Sequence, residues 1–230
     1  MTPSLIYRSA AGYELLMRAL YGRHYADRMR AVAEQVPDGS SVLELCCGPG
    51  TLYLRHLRGR VGSYIALDVN DRFLRRLRRA GVDASHLDLN RPDLELPEAD
   101  VTIMQASLYH FLPHPERIVD HMLSVARDRT IISEPIRNLA SSNLPIMGLL
   151  GRRAADPGTG GHGQRFTEET LDRLMAHHRE RVLSAFTIPG GREKVFVLSA
   201  RPAWHSPPPR QPAPPPTPRR ADRSGTAGGA

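Results

Sequence analysis

The chain has 230 residues, 40% of them hydrophobic, which suits one domain of ordinary size with a buried core. Its two cysteines are too few for a disulfide framework or a zinc-ligand cluster, and no apolar run reaches the ~20 residues of a membrane-spanning helix. The net charge of +7 is partly due to residues 201–230, where five arginines and one aspartate supply +4. We therefore disfavour a nucleic-acid partner and expect a cytoplasmic protein without a transmembrane segment or a metal, as a monomer or weak homodimer.

Composition and periodicity predict three regions. Residues 1–40 form a helical cap, because apolar residues recur at helical spacing from Ala10 to Val36 before a Pro-Asp-Gly turn. Residues 41–200 form the main domain. Residues 201–230 are rich in proline and arginine, lack periodic apolar positions and are predicted to be disordered, either as a dispensable tail or as the ligand of a proline-recognising partner.

The stretch from Ser41 to Thr51 predicts a buried strand, a tight turn and a helix. Closely spaced apolar residues are followed by Gly48-Pro-Gly50, after which leucines recur at helical spacing. This order places backbone N–H groups and a helix N-terminus at the carboxyl end of the strand, where open α/β sheets bind polar ligands. Since a glycine has no Cβ, we expect a ligand to lie directly on the backbone of the turn.

Two cofactors commonly use such a turn. A dinucleotide fingerprint requires a third glycine at the position of Tyr53. The stretch instead resembles motif I of the class I S-adenosylmethionine-dependent methyltransferases, in which an acidic residue precedes Gly-x-Gly-x-Gly. Glu44 matches the acid, and Gly48 and Gly50 match the last two glycines. Cys46 replaces the first glycine, and a plain connection without a ligand is the alternative.

Asp68 ends the second predicted strand, Ser63 to Asp68. The resemblance implies that this carboxylate accepts hydrogen bonds from both ribose hydroxyls of S-adenosylmethionine, and its neighbour Val69 is a further cofactor-binding candidate. Asp68 also precedes a predicted helix from Asp71 to Ala80, so capping of that helix is the alternative.

The third predicted strand begins at Val82 and leads into an acidic turn. The resemblance assigns the adenine amino group to Asp88 and the adenine ring to Leu89. A structural turn aspartate is the alternative for Asp88.

Asp100 to Met104 predicts the fourth strand. The residues after it, Gln105 to His110, resemble motif IV and the next loop of small-molecule methyltransferases, where S-L-x-H is common. They do not resemble the Asn/Asp-Pro-Pro-aromatic motif of enzymes that methylate amino nitrogens of nucleic-acid bases. Gln105 is a cofactor-binding candidate, and His110 is the candidate catalytic base because histidine exchanges protons near neutral pH. Further base candidates by position are His114, His162, Tyr109 and Glu134.

The rest of the domain predicts a helix from Pro115 to Arg127, a strand from Arg129 to Glu134, and a helix capped by Thr167. Between the last two, the apolar residues 139–150 predict either a cap over the acceptor pocket or a lipid-surface contact, and residues 156–163 predict a mobile loop. The chain then closes with a hairpin across Pro189-Gly-Gly191.

These elements predict an α/β fold, a three-layer α-β-α sandwich with a seven-stranded, mostly parallel sheet whose last strand inserts antiparallel. Alternation of strands and helices followed by an antiparallel hairpin is typical of class I methyltransferases. The leading hypothesis is therefore transfer of a methyl group from S-adenosylmethionine to an oxygen, nitrogen or carbon atom of a small molecule. The alternatives are a protein or RNA methyltransferase and a non-catalytic interaction protein with the same fold.

Overall fold

A computed structural model describes residues 15, 17, 18, 22–136 and 165–202. The predictions for the apolar segment 139–150, the loop 156–163 with His162, and the tail from residue 203 lie outside the described residues.

The core of the structure is one seven-stranded sheet in the order β3-β2-β1-β4-β5-β7-β6. Strands β1 to β5 pair in parallel, and β7 lies antiparallel between β5 and β6. The predicted fold class is therefore confirmed, including the antiparallel insertion of the last strand. The strands are β1 Ser41–Leu45, β2 Ser63–Asp68, β3 Asp83–His86, β4 Ala99–Gln105, β5 Ala126–Pro135, β6 Val182–Thr187 and β7 Glu193–Ser199.

Helices cover both faces of this sheet. The described helices are α1 Tyr25–Ala33, α2 Asp71–Arg79, α3 Glu116–Val125 and α4 Glu168–Ala176. A π-helical segment, Tyr53–Leu57, follows the glycine turn, and 3₁₀ turns occupy Gly22–His24, Leu108–Phe111 and Arg179–Arg181. Among these residues, no helix is long and apolar enough to cross a membrane.

Successive residues of β1 enter two separate cores, as expected for a strand buried on both faces. Val42 packs in the core that contains α1, α2 and the π-helical segment, whereas Leu43 and Leu45 pack in the core that contains α3 and α4. The three-layer arrangement follows from this alternation. Because Met29 and Val32 of α1 share the first core with the sheet, α1 belongs to the same hydrophobic unit as the strands.

Side-chain caps fix the starts of two of the four described α-helices. Asn70 caps α2 by accepting a hydrogen bond from Arg72 N at 3.1 Å, and Thr167 forms a reciprocal capping box with Thr170 at the start of α4. One predicted boundary was wrong, since α3 ends at Val125 and Ala126 already begins β5. Ala126 pairs with Ala99 of β4, so pairing to the neighbouring strand takes residues that helical periodicity had assigned to the helix.

Candidate active site

The sheet order places the functional candidates at one edge. Strands β1 and β4 are neighbours, but β1 connects onward to β2 on one side and β4 to β5 on the other. This reversal opens a crevice at the carboxyl ends of the two strands. The residues that follow or end β1, β2 and β4, and that sequence reasoning selected, are Cys46, Gly48, Gly50, Asp68, Val69 and Gln105.

Asp68 is held against the glycine turn. Its Oδ2 accepts a hydrogen bond from Gly48 N at 2.8 Å, and its Oδ1 accepts one from Asn70 N at 2.7 Å. Burial raises the pKa of this carboxyl, whereas the backbone N–H groups of Asn70, Gly48 and Val69 act to lower it. Each oxygen of a carboxylate can accept more than one hydrogen bond, so this arrangement leaves acceptor capacity for a ligand diol.

The two glycines of the turn have different roles. Gly48 has φ 55°, and a Cβ built on it would have no heavy atom within 4 Å, so its backbone borders open space. Gly50 has φ 71°, and a Cβ there would lie 2.2 Å from Leu77 Cδ2 of α2. The expectation that a ligand lies on both glycines therefore fits Gly48, whereas Gly50 is required for the close approach of α2.

Two non-glycine residues adopt left-handed backbone conformations beside this turn. Cys46 follows β1 with φ 53°, and Ala106 follows β4 with φ 49°. Such conformations cost about 1–3 kcal/mol each and persist where surrounding contacts fix them. Cys46 thus keeps the backbone conformation that a glycine would adopt. Burial, and next the nearby Asp68, raise the pKa of its thiol, so the thiol stays protonated and is a poor nucleophile.

Glu44, the acid of the motif, lies within the sheet and is 2% exposed. It accepts hydrogen bonds from the hydroxyl of Tyr64 and from Gln105 Nε2, the latter at 3.0 Å. Burial raises its pKa to about 7, although these two hydrogen bonds act to lower it. Tyr53 occupies the position where a dinucleotide fingerprint requires a glycine. Its ring stacks on that of Tyr64 with centroids 4.3 Å apart, so Tyr53 packs against the tyrosine that donates to Glu44.

The adenine candidates lie at the ends of β2 and β3. Asp88 is exposed and accepts hydrogen bonds from Asn90 N at 2.9 Å and from Asn90 Nδ2 at 3.0 Å, which also fits the turn role considered from the sequence. Leu89 beside it is buried, whereas Val69 exposes 47% of its surface despite its apolar side chain. Asp88 therefore offers a carboxylate to solvent, and Val69 offers an apolar surface beside Asp68.

Comparison with protein-family models identifies the fold. A methyltransferase domain model matches residues 17–179. The chain belongs to the methyltransferase domain family. Together with the sheet order, this makes it a class I S-adenosylmethionine-dependent methyltransferase, and S-adenosyl-L-methionine is its cofactor.

Solved methyltransferases have the same fold at low sequence identity. Magnesium protoporphyrin IX methyltransferase from Synechocystis PCC 6803, with bound S-adenosylhomocysteine, is 15% identical with a TM-score of 0.57, over 84% of this chain and 96% of that chain. A methyltransferase from Thermotoga maritima is 15% identical with a TM-score of 0.59, over 85% and 98%. An O-methyltransferase family 2 protein from Planctomyces limnophilus, in complex with apigenin, is 16% identical with a TM-score of 0.54, over 83% and 61%. No curated protein matches the sequence.

The loop after β4 contributes the acceptor-side candidates of this methyltransferase. His110 lies in the 3₁₀ turn Leu108–Phe111, half-buried, with its ring 4.0 Å from that of Tyr109. The guanidinium group of Arg165 lies over the Tyr109 ring, with its Cζ 3.4 Å from the ring centroid. The candidate His114 is exposed and pairs with Glu116 at 3.2 Å, so its ring is directed to a surface carboxylate.

Sequence reasoning missed the role of one residue at this edge. Glu134, at the end of β5, is fully buried and accepts hydrogen bonds from Ser107 N and Leu108 N, both at 2.6 Å. Its position at a strand end was the one available signal, and that signal suggested a base rather than a partner for backbone amides.

Proposed function

We propose that this methyltransferase transfers the methyl group of S-adenosylmethionine to an oxygen, nitrogen or carbon atom of a small molecule. The observation that carries the proposal is the burial of side chains in the loop after β4. Leu108 is fully buried, Tyr109 is 8% exposed, and His110 is half-buried. An acceptor that has to reach the half-buried His110 beside these buried side chains is more readily a compact molecule than the surface of a protein or an RNA.

The residues present fit the cofactor. Asp68 would accept hydrogen bonds from the ribose hydroxyls, and the open side of Gly48 would let the ligand approach the backbone. The exposed apolar surface of Val69 and the carboxylate of Asp88 would contact the adenine ring and its amino group. Leu89, buried beside Asp88, would complete the adenine side.

The remaining cofactor candidates act around the same turn. Gln105 is fixed by its hydrogen bond to Glu44, so these two residues would set the floor of the crevice between β1 and β4. Cys46 would contribute its backbone, because its thiol stays protonated and its φ value is that of the glycine it replaces.

The chemistry divides between cofactor and protein. When bound, S-adenosylmethionine supplies a methyl group on a sulfonium, already activated toward nucleophiles. The protein has to hold the acceptor close to that group and exclude water, which the buried loop after β4 favours. His110 would take the proton of an acceptor hydroxyl or amine, since imidazole is basic enough near neutral pH.

Calorimetry with S-adenosylhomocysteine tests the cofactor side. Asp68→Ala should weaken binding by about 1–3 kcal/mol through loss of charge-assisted hydrogen bonds. Asp83→Ala, which removes an exposed aspartate from β3, is the matched control and should bind like the wild type. Equal affinity of Asp68→Ala and wild type, with both proteins folded by circular dichroism, would contradict the assignment of the ribose site.

An acceptor screen tests the small-molecule proposal. Purified protein is incubated with S-adenosylmethionine and, in separate arms, with phenols, amines and carboxylic acids, with total RNA, and with a protein extract, and S-adenosylhomocysteine is quantified. We expect turnover with a small molecule and its loss in His110→Gln, with unchanged cofactor affinity. Turnover only with RNA or protein would overturn the acceptor class, and the absence of any heat with S-adenosylmethionine would leave a non-catalytic protein.

A further inference from the structure

Glu134 connects two strand ends through a single oxygen. Its Oε1 accepts the backbone hydrogen bonds of both Ser107 and Leu108, at 2.6 Å each, and the side chain is 0% exposed. Buried backbone N–H groups need partners, and two of them are satisfied here by a residue 26 and 27 positions away in sequence. The start of the loop after β4 therefore depends on the end of β5.

The turn that Glu134 holds is strained. Ala106, directly before Ser107, has φ 49°, a conformation that an alanine rarely adopts. Ala106 N donates to the carbonyl of Ser133 at 2.7 Å, so three consecutive N–H groups of the loop bind the last residues of β5. These bonds are the contacts that compensate the strain at Ala106.

The same connection reaches the cofactor turn and the candidate base. The Ser107 hydroxyl donates to the carbonyl of Gln105 at 3.0 Å. It is also close enough to Cys46, the other strained residue, to act to lower the pKa of that thiol. On the acceptor side, His110 N donates to the carbonyl of Ser107 at 3.1 Å. Ser107 thus lies between the turn after β1 and the turn that carries His110.

We propose that Glu134 is a positioning residue of the methyl-transfer site, which fixes Ser107 and through it sets Cys46 and His110 relative to each other. The proposal rests on the proposed function, since it concerns the candidate residues of that site. The role differs from that of the base considered from the sequence, because the side chain is 0% exposed and Oε1 binds two backbone N–H groups.

The surroundings of Glu134 determine when it is ionised. Burial raises its pKa to about 8; the N–H groups of Leu108 and Ser107 and the charge of Arg28 act to lower it, and Glu193 acts to raise it. The Cys46 thiol, which is also near, stays protonated. Oε2 has no hydrogen-bond partner among the residues that the structure describes, so the proton of the neutral form resides there. Ionisation above this pKa strengthens the two backbone hydrogen bonds.

Amide NMR of the ligand-free protein tests the hydrogen bonds from Ser107 and Leu108 to Glu134. In the wild type, the Ser107 and Leu108 amide signals should shift together with a midpoint near pH 8. Glu134→Gln should abolish that titration and keep the fold, because its side-chain carbonyl still accepts both N–H groups. Glu95→Gln, which removes an exposed carboxyl, is the matched control and should titrate like the wild type. Ser107 and Leu108 amide signals that are the same in Glu134→Ala as in the wild type would overturn the proposal.

Calorimetry measures how Glu134 affects the affinity for S-adenosylhomocysteine. Glu134→Ala should weaken binding roughly tenfold, because both N–H groups lose their acceptor and the loop shifts. Glu134→Gln should stay near the wild type at pH 7, and Ala106→Gly should restore part of the affinity of Glu134→Ala by removing the strain. If Glu134→Ala loses stability but binds normally, the residue is merely structural and the proposal fails. No binding by the wild type would instead refute the proposed function.

Discussion

The buried carboxyl of Glu44 should make the stability of the protein depend on pH. An unfolded glutamate has a pKa near 4.5, whereas burial raises that of Glu44 to about 7 in the fold. Between these values the folded state binds one proton more than the unfolded state, so stability falls as pH rises through this window. At about 1.4 kcal/mol per pKa unit, ionisation of Glu44 lowers the free energy of unfolding by about 3 kcal/mol, and this loss is complete above pH 7.

Urea unfolding of Glu44→Gln at pH 5, 6, 7 and 8 measures this contribution. The free energy of unfolding should fall less steeply in the variant, with a wild-type-minus-variant difference that changes by about 2.5 kcal/mol between pH 5 and pH 8. Glu134 adds its own loss up to about pH 8 in both proteins, so it cancels in the difference. Glu95→Gln controls for removal of one exposed negative charge. Parallel pH profiles of wild type and Glu44→Gln would refute the reasoning.

Two substitution pairs test the backbone of the cofactor turn by urea unfolding and calorimetry. Gly50→Ala should cost about 2 kcal/mol or more of stability, because its Cβ would overlap Leu77 at φ 71°. Gly48→Ala should cost about 1 kcal/mol but weaken S-adenosylhomocysteine binding more, and equal effects of both would contradict their different roles. Cys46→Gly should keep stability within about 1 kcal/mol and keep affinity, whereas Cys46→Val should lose about 1–3 kcal/mol. A large loss of affinity in Cys46→Gly would show that the thiol itself binds the ligand.

Local patterns were sufficient to predict the fold. Strand β2 runs from Ser63 to Asp68 as predicted, since its apolar run is bounded by a glycine and a helix cap. Thr167 caps α4, and the hairpin forms across Gly190 and Gly191, both at positive φ. In each case the signal lies within a few residues of the structure that it predicts.

The missed features depend on contacts between distant parts of the chain. Glu134 meets Ser107 across 27 positions, and Arg28 of α1 forms a buried ion pair with Glu193 of β7 at 2.6 Å. Periodicity assigns residues to a face of the sheet, but it does not determine which polar groups meet there. The sequence likewise did not show that Gly50 makes room for Leu77, because Leu77 lies on α2, a separate helix.

Cys46 shows why a motif can survive the loss of one of its glycines. The family pattern has a glycine at this position, and Cys46 keeps the positive φ of a glycine, 53°. This conformation is strained for a residue with a side chain. Ala106 also has a positive φ, 49°, after the end of β4, and Ser107 follows it directly. The edge of the sheet therefore imposes a backbone shape that the side chains have to tolerate. A non-glycine residue can keep a positive φ there when hydrogen bonds from a neighbouring strand end hold the backbone. At the end of β4, Glu134 of β5 supplies those hydrogen bonds.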